Sequence, residues 1–246
     1  MKQSGNTILV TGGTAGIGRA LAVALHQAGN RVIVAGRNRA ALAELQAEYP
    51  GMTGIELDIG EPASVTAAAE KVAAEFPELN VLVNNAGIMK FEQGIDLAAA
   101  EAMIATNLLG PIRLTAALLP MLTGKDGAAI VNVSSTQAFV PLPFSPVYCA
   151  TKAALHAWTI GLRIQLAQAG VEVIEFIPPA VQTELTPGQS QSPYAMPLGE
   201  FVEETMALLR QRPTPTEICV EQAKGWRAVS SDETMYGIMR QFGIPV

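Results

Sequence analysis

The apolar side chains along the chain alternate between two periods. Residues 7–10 (TILV) form a short β-branched run ending in glycines, and residues 17–28, rich in alanine and leucine, carry helical spacing closed by Gly29. The pair recurs as a run at 31–35 and a helical stretch at 40–49 that stops before Pro50-Gly51. Further strands are predicted at 53–57 and 81–83, with an alanine-rich helix over 62–76 between them. A long helix is predicted over 97–122, then a strand at 129–133, a helix over 146–169 and a strand at 171–177. Each strand returns after a helix, and parallel pairing needs such crossovers. The pattern predicts one α/β domain over residues 1–246, a doubly wound parallel sheet of about seven strands with helices on both faces.

The alternation breaks at 183–196 (TELTPGQSQSPYAM), a polar, turn-rich stretch that is either a surface loop or a lid over a site. Residues 184–196 are the candidate substrate loop. A helix at 198–210 and an apolar run at 217–220 follow, while the tail over 222–246 shows no usable pattern.

Composition narrows the function classes. Only 15% of residues are charged and 49% are hydrophobic, which suits a large buried core. No apolar run reaches the ~18 residues of a membrane span, so no membrane partner is expected. A net charge of −6 without a basic cluster argues against nucleic-acid binding, although a local arginine pair could still hold one phosphate. Cys149 and Cys219 are too few and too far apart for a disulfide framework or a zinc site. Reduced thiols, no metal and a cytoplasmic location are expected, and the first thirteen residues lack the features of a signal peptide.

The first candidate site is Thr11-Gly12-Gly13-Thr14-Ala15-Gly16-Ile17-Gly18, between a predicted strand and a predicted helix. Backbone amides at such a helix start can hold a pyrophosphate, as in a Rossmann-like dinucleotide site. Gly12 would make the tight turn, Gly16 would let backbone approach the phosphates, and Gly18 would let helix pack on strand. The competing reading is a glycine-rich turn without a ligand. An acid that would bind the ribose of NAD is missing at the end of the second strand, where Gly36 stands, followed by Arg37 and then Arg39. Two guanidinium groups suit a 2′-phosphate, so NADP(H) is favoured over NAD(H), unless both arginines are ordinary solvated charges.

Together with Asn84-Asn85-Ala86-Gly87, Asn107, Ser134-Ser135 and Tyr148-x-x-x-Lys152, this loop resembles the short-chain dehydrogenase/reductase family over about residues 5–185. Within it, Pro178-Pro179-Ala180-Val181 and the C-terminal third are similar to the DltE-type oxidoreductase group. Tyr-x-x-x-Lys alone has a chance expectation of about 0.1 in this chain, so its weight comes from order and spacing. The resemblance implies Tyr148 as general acid/base, Lys152 lowering its pKa and bonding the nicotinamide ribose, Ser135 donating to the substrate oxygen, and Asn107 holding a relay water. Ser135 is preferred to Ser134 because thirteen residues separate it from Tyr148, the family's usual interval. It also implies cofactor contacts from Gly12, Thr14, Gly16, Ile17 and Gly18, from Asp58 and Ile59 at the adenine, and from Asn85, Ala86 and Gly87 under the ribose. Tyr148, Lys152, Pro178, Val181 and Thr183 would complete the nicotinamide end. Two departures stand out: Pro179 replaces the usual glycine after the sixth strand, and Ala138 replaces a glycine after the serines.

A phenol titrates near ~10, and working near pH 7 needs about 4 kcal/mol; one positive charge at ~4 Å supplies that at an effective dielectric of 20, so Lys152 with an oxidised nicotinamide nearby is sufficient in magnitude. His26 and His156 are read as packing or surface residues. Val140, Leu142, Phe144, Met89, Phe91, Leu185 and Tyr194 are candidates for an apolar pocket suited to a ketone, an aldehyde or a secondary alcohol, or are core. The helices carrying Asn107 and Tyr148 resemble those that pair in family oligomers, which implies a homodimer or homotetramer. Two functions remain: an NADP(H)-dependent carbonyl reductase or alcohol dehydrogenase, and a dinucleotide-sensing module without turnover.

Overall fold

The computed structural model describes residues 1–241, 243 and 244. Its centre is one parallel sheet of β1 (Thr7–Thr11), β2 (Arg31–Gly36), β3 (Thr53–Glu56), β4 (Val81–Asn84), β5 (Ala129–Val133), β6 (Glu172–Phe176) and β7 (Glu217–Ile218), in the order β3-β2-β1-β4-β5-β6-β7. The order reverses direction between β1 and β4, and at such a switch point the connecting loops part and leave a crevice.

The strands read as continuous apolar runs because both faces are covered. On β1, Leu9 joins one core while Ile8 and Val10 join the other, and on β2 Ile33 is split the same way from Val32 and Val34. The Leu9 side is closed by α3 (Pro62–Glu75), α5 (Gly110–Leu122) and α6 (Pro146–Gln165) through Val65, Val72, Leu114, Leu118 and Leu162. The other side is closed by α1 (Gly16–Gln27), α2 (Arg39–Glu48) and α7 (Leu198–Leu209) through Leu21, Leu25, Leu42, Leu45, Met206 and Leu209. The predicted fold class therefore stands.

Three expectations need correction. The run expected as one helix is α4 (Leu97–Ile104), a π turn (Ala105–Leu109) and α5. By length and mean hydropathy (1.4) the stretch Leu97–Leu122 would suit a membrane crossing, but Leu114, Leu118 and Leu122 are buried in the core. The α6 helix ends at Gln165, short of the expected 169, because a turn replaces its last residues. The tail, silent in sequence, contains α8 (Glu221–Arg227) and α9 (Asp232–Gln241). Short helices such as α8 depend on distant partners: Val220 and Ala223 pack with Val181, Met196 and Phe201.

That same cluster anchors residues 183–196. The amide of Met196 donates to Ala180 O at 2.8 Å, and that of Gln182 to Met196 O at 2.9 Å. Gln189 Nε2 donates to Val181 O at 2.7 Å and to Thr183 Oγ1 at 3.4 Å. The segment is tied down at both ends, with Tyr194 exposed at its tip.

Candidate active site

The glycine loop is stitched to the end of β4. Thr11 Oγ1 accepts from the amides of Asn85 and Ala86, both at 3.0 Å, and donates to Val83 O. Asn85 Nδ2 returns bonds to Thr11 O at 2.9 Å and Gly12 O at 3.3 Å, so this side chain braces the loop. A Cβ on Gly18 would lie 2.3 Å from Asn85 Nδ2 and 2.4 Å from Gly12 O, which makes glycine obligatory there. Gly16 has φ +53°, a left-handed conformation that side chains resist. At the start of α1, Ala15 gives no side-chain cap and the first turn holds no acid. The first amides of a twelve-residue helix thus face the crevice without a side-chain partner, and the donor set fits a pyrophosphate.

Thr183 comes over this loop: its Cβ and Cγ2 would each be 3.4 Å from a Cβ on Gly16. Thr14 closes on Gly36, where an added Cβ would stand 3.1 Å from Thr14 Cγ2. The missing ribose-binding acid therefore has a packing cause as well. Arg37 and Arg39 are exposed, and each already faces an acid. Arg39 Nε is 2.7 Å from Glu56 Oε2, and Arg37 NH1 is 3.8 Å from Asp58 Oδ2. Asp58 caps no helix: its Oδ1 accepts from Gly60 N, while Glu61 is the residue that precedes α3. Ile59 and Val181 turn their side chains into packing clusters, which leaves only their backbones for any cofactor contact.

The helix α6 brings Tyr148 and Lys152 to the far side of the crevice, both buried. Proline at its first position supplies the fixed φ of a helix start. Lys152 Nζ lies 5.7 Å from the Tyr148 ring centroid and donates to Val133 O at 2.8 Å. Ser135 lies near enough to the Tyr148 phenol to hold its pKa down. Ser135 in turn donates to Gln137 Oε1 and accepts from the Gln137 amide at 3.2 Å. Ser134 points away and donates to Phe176 O at 3.1 Å, joining β5 to β6. Pro178 O accepts from Thr136 N at 3.0 Å, which ties the Pro178-Pro179 turn to the serine loop.

Asn107 is also buried, on the π turn. Its Oδ1 accepts from Ile88 N at 2.8 Å, and its Nδ2 donates to Ile88 O at 2.8 Å and Thr151 Oγ1 at 3.1 Å. Gly87 lies between the two polar groups, since its Cβ would be 3.4 Å from Asn107 Oδ1 and 3.6 Å from Lys152 Nζ. Thr11 was given no role of its own within the glycine motif, and Gln137 and Thr151 were not singled out from sequence; only the position of Thr151 inside Tyr148-x-x-x-Lys152 hinted at it.

The electrostatics correct one expectation. Burial pushes the Tyr148 phenol up to about 12, against the opposing effect of Ser135. Burial likewise pulls the Lys152 ammonium down to about 8, with the Glu175 charge opposing. Lys152 does not by itself lower the phenol, because its ammonium is directed at Val133 O. Tyr148 is a protonated phenol at neutral pH.

Comparison with known proteins bears on the family and the fold. The family model for short chain dehydrogenase matches residues 6–193. The chain is 46% identical over 189 residues to the uncharacterized oxidoreductase DltE of Bacillus subtilis, covering 75% of each chain. It is 34% identical over 191 residues to dehydrogenase/reductase SDR family member 7B of Bos taurus, covering 73% of this chain and 59% of that one. Among solved structures, a short chain dehydrogenase from Burkholderia cenocepacia in complex with NADP superposes with a TM-score of 0.83 at 27% identity over all of both chains. A 3-ketoacyl-(acyl-carrier-protein) reductase from Brucella melitensis complexed with NADH gives 0.79 at 26% identity, over 88% of this chain and 96% of that one.

Proposed function

Because the chain belongs to the short-chain dehydrogenase/reductase family of NAD(P)-dependent oxidoreductases, we propose that it interconverts a ketone or aldehyde with the corresponding alcohol, using NADP(H) in preference to NAD(H). One observation carries the reading: a buried phenol beside Ser135 stands one helical turn from a buried ammonium, across the crevice from the uncapped start of α1. A sensor has no need of a positioned acid.

The nicotinamide ring, when bound, supplies or accepts the hydride. The chain's own residues handle the proton. Ser135 turns its hydroxyl from Gln137 to the substrate oxygen and orients it. Tyr148, protonated at neutral pH, gives its proton to that oxygen as negative charge develops. An alkoxide is a stronger base than a phenolate near 12, so this transfer is downhill in the reducing direction. With cofactor bound, Lys152 would turn from Val133 O to the nicotinamide ribose, and its ammonium would then stabilise the phenolate left behind. A water on the Asn107 carbonyl would return a proton past Lys152 to the phenolate. The amides of Gly16, Ile17 and Gly18 hold the pyrophosphate, with Thr14 and Thr183 beside them. Arg37 and Arg39 take the 2′-phosphate, Asp58 and the Ile59 backbone border the adenine, and Ala86 and Gly87 let the ribose approach.

Phe91 and Phe144, edge to face at 5.4 Å and both exposed, form an apolar rim for the substrate. Exposed Ile104 and Leu109 on the π-turn side and Ile160 and Ile164 on α6 would be covered in a homodimer or homotetramer. A panel of ketones, aldehydes and alcohols followed by nicotinamide absorbance tests the reading, with Tyr148→Phe as control. Turnover unaffected by that change would overturn it, and so would NADPH binding with no substrate reduced.

A further inference from the structure

Glu175 lies on β6 with no exposed surface, where an unpaired carboxylate is costly. Both of its oxygens face one side-chain atom, Nδ1 of His156, at 3.0 and 2.8 Å. An ionised carboxylate only accepts, so Nδ1 carries the proton. Phe139 holds the imidazole from the side, edge on, at a centroid distance of 4.7 Å.

His156 follows Lys152 by four residues on α6, so the two project from one side of the helix. They land on adjacent strands. Lys152 reaches Val133 O of β5, and Val133 is in register with Phe176, the residue after Glu175. With strands ~4.8 Å apart, the buried ammonium and the buried carboxylate stand within about 10 Å of each other.

We propose that Glu175, locked by His156, is the counter-charge that keeps Lys152 an ammonium in its buried site. Both are positioning residues, acting through Lys152. The inference rests on the reading of Lys152 as a working group of the active site.

The remaining charged and titratable groups around this cluster have other engagements. Tyr148 on α6 is neutral below about 12. Glu217 on β7, in register with Glu175, is matched by Arg227 of α8 through two bonds of 2.8 and 2.9 Å. Arg227 also lies over the Phe139 ring at 4.6 Å. Arg163, further along α6, donates to the carbonyls of Val173 and Thr216. Glu175, its oxygens on His156, is the carboxylate whose negative charge opposes the effect of burial on the Lys152 ammonium.

The test reads Lys152 directly. The chain has six lysines, so a protein labelled with 13Cε-lysine gives few resonances, and Lys152→Arg assigns the one of interest. In Glu175→Gln, the Lys152 midpoint falls by about one unit, while the other five stay in place. NADP+ then binds about threefold more weakly than to wild type at pH 7.5 and equally well at pH 6. A residue needed only for folding would weaken binding at every pH without moving the midpoint. If Glu175→Gln does not fold, Glu175→Asp, which keeps the charge but draws it back, gives a smaller downward shift. A Lys152 midpoint unchanged in a folded variant overturns the proposal. That titration needs no turnover, so it stands apart from the enzyme reading, which Tyr148→Phe tests separately.

Discussion

Pro111 stands four residues after Asn107, so the Asn107 carbonyl meets a residue that has no amide to offer. The chain widens there into the π turn, where Gly110 N bonds Ala105 O five residues back. The Asn107 side chain is committed to Ile88 and Thr151, so the relay water of the proposed reaction would rest on the Asn107 carbonyl. Pro111→Ala supplies a donor for that carbonyl. It should leave the melting temperature unchanged or raised while lowering kcat/KM about tenfold. Asn107→Ala should instead lower stability by roughly 1 kcal/mol, since it strips two partly buried backbone groups of Ile88 of their partner. Thermal unfolding beside turnover checks both.

The two serines separate in the same way. Ser134 is buried with its hydroxyl on Phe176 O, so Ser134→Ala should cost about 1 kcal/mol of stability with little change in turnover. Ser135 lies beside the Tyr148 phenol, and Ser135→Ala should lower kcat by roughly 10²-fold with a near wild-type unfolding midpoint. Equal behaviour of the two variants in both measurements would contradict the assignment.

Gly18 and Gly16 are glycine for different reasons. A methyl on Gly18 would overlap Asn85 Nδ2 and the Gly12 carbonyl, so Gly18→Ala should break the brace between β1 and β4, with a loss of about 1–3 kcal/mol and of NADPH binding. A methyl on Gly16 meets only ordinary contacts with Thr183 but sits at positive φ. Gly16→Ala should cost roughly 1 kcal/mol and act mainly on NADPH affinity. Denaturant unfolding and NADPH fluorescence titration distinguish them.

The sheet was legible because both of its faces are covered: β1 and β2 had to be unbroken apolar runs, and each needed a helix before the next. The glycine loop and Tyr148-x-x-x-Lys152 were legible because both are local. What sequence hid is what depends on distant partners. Pro111 is visible, but apolar spacing runs on through it, so the π turn was masked. Glu175 reads as one acid in a strand, and its partner His156 is 19 residues away. The direction of the Tyr148 shift was missed because burial, which decides it, has no signature in spacing. The α8 helix was silent because its apolar face is completed by Val181, Met196 and Phe201.

Cofactor preference should respond to the acids as well as to the arginines. Arg37→Asp should lower the NADPH-to-NADH ratio in kcat/KM at least tenfold, by replacing a donor with a repelling carboxylate. Arg39 is engaged by Glu56 at the mouth of the crevice. Glu56→Gln frees it for a 2′-phosphate and should tighten NADPH binding several-fold while leaving NADH unchanged. Binding titrations with both cofactors, repeated at high salt to screen the exposed charges, check the pair.

Lys152 should be a stability liability. A lysine titrates near the usual 10.5 in the unfolded chain and at about 8 here, so folding disfavours the ammonium by roughly 3 kcal/mol at pH 7. Below pH 8 both states hold the proton and this cost is present in full. Between pH 8 and 10.5 the unfolded chain binds more protons than the folded one, so stability from this group rises with pH. Tyr148 acts in the opposite sense only above pH 10, where its raised phenol keeps a proton that the unfolded chain has lost. Lys152→Met should therefore be more stable than wild type by up to about 3 kcal/mol at pH 7, with the gap closing towards pH 10, although its turnover is lost. Urea unfolding of both proteins at pH 7 and pH 9.5 measures this; a gap of constant size at the two pH values would show that Lys152 is not held as a desolvated ammonium.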